Sequence, residues 1–299
     1  MATPVREHKD TRVSNGARQR TIKSPTTLKG IGLQTGRAVS TVLKPSPVST
    51  GINFIRTDLP NRPLLNINSL SLDDGSPLER RTAVGIGPMQ IQTIEHLMAA
   101  LSGLSIDNIA IELDGEELPG MDGSAKNFAE AIKKAGTEEQ SAPRRILEIK
   151  EPVWCSDSGS MIAVFPAEGF RVSYTLSYSA PAIGTQYMDI TIDQNGFETK
   201  IAPARTFCLE EEALELLKRG LGKGANYDNT LVVGKAGAIK TDLRFPDEPV
   251  RHKVLDLMGD LYLLGMPVRG HVVAIKSGHR MNMELVKKLK KKEYERWVT

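Results

Sequence analysis

The chain has 299 residues, 40% hydrophobic and 25% charged, which suits one large or two ordinary folded domains and excludes a fibrous or wholly disordered protein. A net charge of +3, with seven Phe and six Tyr, provides no basic, aromatic-laced stretch on which nucleic-acid bases would stack, and no apolar run is long enough to span a bilayer. The two cysteines, Cys155 and Cys208, match no C-x-x-C pattern, so neither a thiolate metal site nor a disulfide framework is indicated, and a reducing, cytoplasmic setting fits.

Residues 1–20 lack apolar periodicity and the apolar core of a secretory signal, and read as a disordered or cloning-derived tail; Glu7 and Asp10 count against an organellar transit peptide. From 21 to 140 the pattern is that of an α+β domain, with strands over Val39–Leu43 and Ile52–Ile55. In T93-IEHLMAALSGLSIDNIAIELD, Ile94, Leu97, Met98 and Leu101 share a helical face, Gly103 stops it, and Ile109, Ile111 and Leu113 alternate as a strand. Ser124 opens a further helix that runs through Phe128, Ala129 and Ile132 to Gly136. Ser141–Arg145, small, polar and proline-containing, reads as a link.

A second α+β domain follows over 146–290. Strands are predicted at Ile146–Ile149, Ser160–Phe165 and Val172–Tyr178, a helix at Leu209–Arg219 inside an insert of about 207–240, a long helix from Val250 to Leu264 stopped by Gly265, and a strand at His271–Ile275. Lys287–Lys292 is a basic run leading to a basic tail over 291–299; such a run is ordinarily a solvated face, and weak membrane-surface contact is its sharper reading. Each half carries a histidine near the start of a helix that leads into a strand, which implies two halves of one plan. Irregular runs of strands and helices, without a repeated βαβ rhythm or a glycine-rich phosphate loop, give α+β as the fold class.

In R251-HKVLDLMGDLYLLG, the residues His252, Asp256 and Asp260 recur every fourth position and form a second helical stripe, turning about 40° per step. For H-x-x-x-D alone, an ion pair on a wet face, worth a few tenths of a kcal/mol, is the favoured explanation, and other residues must decide against it. Of the five histidines, His8 lies in the tail and His271 reads as an ordinary strand residue, while His96 and His252 hold matching places in the two halves. If the halves pack face to face, His96, His252 and Asp256 converge as two imidazoles and a carboxylate, the ligands of a catalytic zinc with one position open. Glu95, beside a ligand, would then be the base that takes a proton from water.

T93-IEHLMAAL, L118-PGMDGSAKNF, A204-RTFCLEEE, L243-RFPDEPVRHKVLDLMGDL and K276-SGH resemble, in order and spacing, the motifs of the UDP-3-O-acyl-N-acetylglucosamine deacetylase family over roughly Arg20 to Leu289. The resemblance implies two similar sandwich domains packed with their helices facing inward between the sheets, each with a small insert. It implies zinc (Zn2+) on His96, His252 and Asp256, Glu95 as general base, and His279 as the protonated partner, charged and held by Asp260. Thr206 would donate to the oxyanion, Lys253 would contact sugar or diphosphate, and Tyr178 would lie near the uridine. The insert, with Phe207, Leu209 and the following helix, would form an apolar passage for an acyl chain. The implied activity is removal of the N-acetyl group of a UDP-linked acylated amino sugar in lipid A biosynthesis, by a cytoplasmic monomer without nucleic-acid partners. Another zinc deacetylase on this scaffold, or a metal-free binding module, are the alternatives. Two departures stand out: Gln34 in G30-IGLQTG where the family usually has histidine, and acids at Glu210–Glu212 where apolar residues are common in the passage helix.

Overall fold

The computed structural model describes residues 13–69 and 80–298. The first half contains β1 (Val13–Ile22), β2 (Thr26–Ile31), β3 (Ala38–Pro45), β4 (Ile52–Arg56), β5 (Leu64–Asn66), β6 (Ala83–Val84), β7 (Ile91–Gln92), α1 (Glu95–Gly103), β8 (Ile109–Leu113) and α2 (Lys126–Ala135). β9 (Thr137–Arg145) and β10 (Leu147–Glu148) lead to β11 (Val153–Asp157), β12 (Ser160–Phe165), β13 (Phe170–Ser177), β14 (Thr185–Thr191) and the short α3 (Gln194–Gly196). Then come β15 (Phe207–Leu209), α4 (Glu210–Lys218), β16 (Leu231–Gly234), β17 (Gly237–Ala238), α5 (Glu248–Leu261), β18 (Val268–Ile275) and α6 (His279–Val298).

Two large sheets share one plan, β2-β3-β8-β4-β5 and β11-β12-β18-β13-β14. In each, the strand that follows the central helix enters the middle of the sheet, antiparallel to the second strand and parallel to the third. A parallel neighbour requires a long crossover, and α1 and α5 belong to those crossovers. The similarity read from the sequence is therefore a repeat of topology as well as of pattern.

β8 and β18 alternate buried and half-buried residues, so each sheet offers one face to the core. α1 packs on α5, with α2 beside α1 and α6 beside α5, which puts the helices between the sheets. The consequence for the sequence reading is direct. His252, Asp256 and Asp260 retain only 3%, 3% and 0% exposure, so their stripe faces protein and a wet-face ion pair is ruled out. Gly259 permits the close packing, because a Cβ there would lie 2.1 Å from the backbone oxygen of Glu95 on α1.

Several boundaries differ from the sequence expectation. Val13–Ile22 is a strand paired antiparallel with β9, so residues 13–20 are not a tail and Ser141–Arg145 is not a loose link. Each satisfies the other's backbone, which lets polar sequence form a ladder without apolar alternation. Residues 1–12 lie outside the described residues. α6 runs on through Val298 where a tail was expected, and residue 299 lies outside the described residues. Within α6, Lys288 and Lys290 donate to the carbonyls of Trp154 and Ile67, and Lys292 pairs with Glu151 at 2.6 Å. The long helix stops at Leu261, and a 3-10 turn over Tyr262–Leu264 reaches Gly265 at φ 77°. β15, β16 and β17 form a small separate sheet with α4 packed against it. No helix among the described residues is long and apolar enough to cross a membrane.

Candidate metal centre and active site

His96 is the second residue of α1, and His252 and Asp256 sit one turn apart on α5, so the packing of these two helices alone brings the three together. Each offers one ligand atom, and all three atoms lie within 4.8 Å of one another. His252 Nδ1 is 3.0 Å from the carbonyl oxygen of Ala204. A carbonyl only accepts, so Nδ1 carries a proton and Nε2 is the nitrogen left to serve a metal. That nitrogen faces Asp256 Oδ1 at 3.2 Å, and His96 Nε2 is 4.0 Å from the same oxygen. Asp256 Oδ1 is buried and has no hydrogen-bond donor. Burial and the neighbouring His252 push His96 down to about 3, which keeps its ring neutral and its lone pair available. Three lone pairs converging on one buried point, with an orphaned carboxylate oxygen among them, fit a divalent cation, and two nitrogens with one oxygen suit zinc.

Burial would raise the Asp256 carboxyl, but His252, Lys253 and His279 outweigh it and hold the group well below the usual carboxylate range. Asp256 Oδ2 accepts from Lys253 Nζ at 2.6 Å, so this lysine, expected to reach toward substrate, is paired with a candidate ligand instead. Its own pKa is raised, because Asp256 outweighs the effect of burial.

Glu95 begins α1, where the helix dipole favours an anion. Its Oε2 accepts from the backbone N–H of Thr82 at 3.1 Å, and burial raises its carboxyl to about 7. On the other side of Asp256, His279 Nε2 lies 3.8 Å from Oδ2. His279 Nδ1 lies 2.9 Å from Asp260 Oδ2, and burial is overcome by Asp260 and Asp256 so that the ring rises to about 9. Two titratable groups raised by their surroundings, Glu95 and His279, thus stand near the Asp256 carboxylate.

Thr206 lies on the wall of the cavity into which His96, His252 and Asp256 open, held by its N–H to Gly123 O and by its carbonyl accepting from Leu231 N, each at 2.8 Å. Behind it, Arg205 and Glu248 form a buried pair: Glu248 Oε1 accepts from both Nε and backbone N of Arg205 at 2.9 Å. This fastens the Arg205–Phe207 stretch to the start of α5, the helix that carries His252. Tyr178 and Phe207 meet edge to face at 5.7 Å, and Phe207 stands against the His252 ring at 6.4 Å. Both line the cavity, whereas Leu209 does not: it precedes the first residue of α4 and packs against the core, and its neighbours Cys208 and Glu210 line the cavity instead.

The cavity, about 360 Å³, extends from the ligand cluster past Leu214, Leu217 and Val232. Leu214 and Leu217 remain 58% and 55% exposed on α4. Of the acids that set this helix apart, Glu212 has structural work at its N-terminus: it accepts from Leu209 N at 2.8 Å and pairs with Arg80. Gln34 also lines the cavity, and its Oε1 accepts from Gly222 N at 3.1 Å, tying the first half to the segment after α4. Its loop is pinned by buried Glu117, which accepts from the N–H groups of Gln34 and Thr35 and from the hydroxyl of Thr93, each at 2.8 Å. Thr93 is β-branched at φ 57°, an uncommon backbone state held just before α1.

The sequence reading missed Thr82, Asn282 and Arg80. Thr82 touches Glu95, Asp260 and His279, Asn282 Nδ2 donates to Asp260 Oδ2 at 2.8 Å, and Arg80 lines the cavity. None belongs to a periodic stripe or a spaced set of ligand types; only the position of Asn282 three residues after His279 hinted at a shared site.

The profile of UDP-3-O-acyl N-acetylglycosamine deacetylase (LpxC) matches residues 19–291. The chain belongs to this deacetylase family. It is 41% identical over 272 residues to the UDP-3-O-acyl-N-acetylglucosamine deacetylase of Myxococcus xanthus (strain DK1622), covering 91% of this chain and 86% of that one. The same named enzyme of Bdellovibrio bacteriovorus (strain ATCC 15356 / DSM 50701 / NCIMB 9529 / HD100) is 40% identical over 272 residues, with 91% and 89% covered. That of Anaeromyxobacter sp. (strain Fw109-5) is 39% identical over 276 residues, with 91% and 88% covered. The match to the family takes in α1, α5 and the residues Glu95, His96, His252, Asp256 and His279.

Proposed function

We propose that this member of the family hydrolyses the N-acetyl group of a UDP-3-O-(3-hydroxyacyl)-N-acetylglucosamine in lipid A biosynthesis, as a zinc-dependent cytoplasmic enzyme. The reading rests on one observation above the rest: His96, His252 and Asp256 converge while Glu95, raised to about 7, and His279, raised to about 9, stand beside them. Zinc on these three residues would supply a Lewis acid that polarises an amide carbonyl and makes water more acidic.

The chain's own groups would do the rest. Glu95 Oε2 is held by Thr82, so Oε1 is the oxygen assigned to take a proton from the attacking water. Thr206 would donate a hydrogen bond from its hydroxyl to the developing oxyanion, a contact whose loss typically costs about 2.7–4 kcal/mol of barrier. An amine leaves as the neutral molecule, and His279, protonated and held at Nδ1 by Asp260, would hand it the Nε2 proton.

The surroundings suit an amphiphilic anion. Arg80, Lys253, Lys276 and Arg280 line a groove next to Tyr178 and His279, which fits a diphosphate beside a nucleoside. The apolar cavity under α4 fits an acyl chain. The test is metal content and acetate release for wild type and His252→Ala. About one zinc per chain in wild type, acetate release, and loss of both in the variant is the expected result. Zinc retained by the variant would remove His252 from the site, and zinc without acetate release would overturn the substrate.

A further inference from the structure

Thr82 lies in the first half of the molecule, immediately before β6, yet it is 3% exposed and spends three of its polar atoms at the reaction centre. Its backbone N–H donates to Glu95 Oε2 at 3.1 Å, and its carbonyl accepts from Ile94 N at 3.4 Å at the entrance to α1. Its hydroxyl donates to Asp260 Oδ1, on α5 of the second half. That single proton is then committed, because an ionised carboxylate only accepts. At His279, whose Nδ1 is 2.9 Å from the same hydroxyl, the oxygen must therefore accept and Nδ1 must be the donor.

A closed ring results: His279 Nδ1–H points at both Thr82 Oγ1 and Asp260 Oδ2, and Thr82 O–H points at Asp260 Oδ1. Asn282 Nδ2, itself held through Oδ1 by Ser277 Oγ at 2.6 Å, closes the remaining side of Asp260. The ring fixes which nitrogen of His279 faces Asp260 and leaves Nε2 turned to the site. Without the hydroxyl, Oδ1 of a carboxylate with 0% exposure has no donor, and Asp260 can rotate out of register with the imidazole.

We propose that Thr82 is a positioning residue that couples the two proton-transfer groups, holding Glu95 through its backbone and the His279–Asp260 pair through its hydroxyl. The inference rests on the deacetylase reading for its consequence in turnover, and on hydrogen-bond geometry alone for its consequence in the ring. Thr82→Val removes the hydroxyl at constant shape, Thr82→Ser keeps it, and both keep the backbone bond to Glu95. Wild type and both variants are loaded with zinc, and three properties are compared: the His279 Nδ1–H signal in protein labelled with 15N-histidine, kcat and KM, and zinc per chain.

The expected result for Thr82→Val is loss of the Nδ1–H signal to exchange with water and a fall in kcat of about 10- to 100-fold, with KM and zinc content unchanged. Thr82→Ser restores both signal and kcat. If Thr82→Val fails to fold, Thr82→Ala removes the same hydroxyl without placing a methyl group against the carboxylate and carries the same comparison. A variant lacking the hydroxyl that keeps the signal and kcat overturns the proposal, and so does one that loses zinc in step with activity. The NMR comparison needs no substrate, so a wild type that releases no acetate would fail the deacetylase reading while the ring is still judged by its own signal.

Discussion

Gly259→Ala is the sharpest test of how packing makes the site. The added Cβ would stand 2.1 Å from the carbonyl oxygen of Glu95 and 2.8 Å from its carbonyl carbon, whereas side-chain Cβ atoms essentially never approach closer than 3.0 Å. The obstacle is backbone, so no rotamer relieves it, and α1 must move from α5 by about 0.9 Å, the difference between those two distances. His96 is the next residue along α1, and Asp256 lies three residues before Gly259 on α5, so the separation falls within the ligand set. Ligand distances tolerate about 0.2 Å, and misplacement of a reacting centre by about 1 Å costs about 100-fold. Overpacking costs about 1–3 kcal/mol, offset by about 1 kcal/mol from the better helix propensity of alanine. The expected variant therefore melts only slightly lower but binds zinc at least about tenfold more weakly and turns over about 100-fold more slowly even at saturating zinc. Chelator competition, acetate release and thermal melting measure these quantities. A Gly259→Ala protein with wild-type zinc affinity and turnover would refute the idea that this contact sets the ligand geometry.

The pH profile of kcat/KM should be bell-shaped. Glu95, raised to about 7, must lose its proton, so the rate climbs as pH passes up toward that value, and a bound cation lowers this limb further. His279, raised to about 9, must keep its proton, so the rate falls as pH passes through about 9; a rate rising steadily to pH 10 would sink the assignment. Glu248→Ala leaves Arg205 buried without its carboxylate, since the pair is 4% and 0% exposed, and should lower unfolding free energy by about 3–5 kcal/mol in urea titrations. A loss below about 1 kcal/mol would mean that Thr241 Oγ1 and the carbonyl of Asp242, which also accept from Arg205, suffice to hold it.

The periodic elements were legible because burial on one face leaves a period in the sequence. Ile109, Ile111 and Leu113 alternate in β8 as they face the helices, and the helices over Glu95–Gly103 and Glu248–Leu261 lie where their apolar repeats fall. β1 and β9 left no such trace, since their pairing is satisfied by backbone and neither has a strongly apolar face. Metal-ligand types were legible too: few histidines, two of them at matching places, narrow the choices. Their convergence was legible only on the condition that the halves pack face to face, because H-x-x-x-D has the same letters on a wet face as between two helices.

By itself, then, the sequence determined the types of residue that carry the chemistry, the helices that present them and the family to which their motifs conform. Tertiary structure decided what those residues meet. It buried the His252–Asp256–Asp260 stripe, left Asp256 Oδ1 without a donor, and turned Lys253 onto Asp256. It also brought Thr82 to Asp260 across 178 positions of chain. A stripe is a local property fixed by helical geometry, whereas an orphaned oxygen or a ring of three polar side chains is a property of distance between elements, set for the first by the packing of α1 against α5 and for the second by the meeting of α5, α6 and the segment before β6.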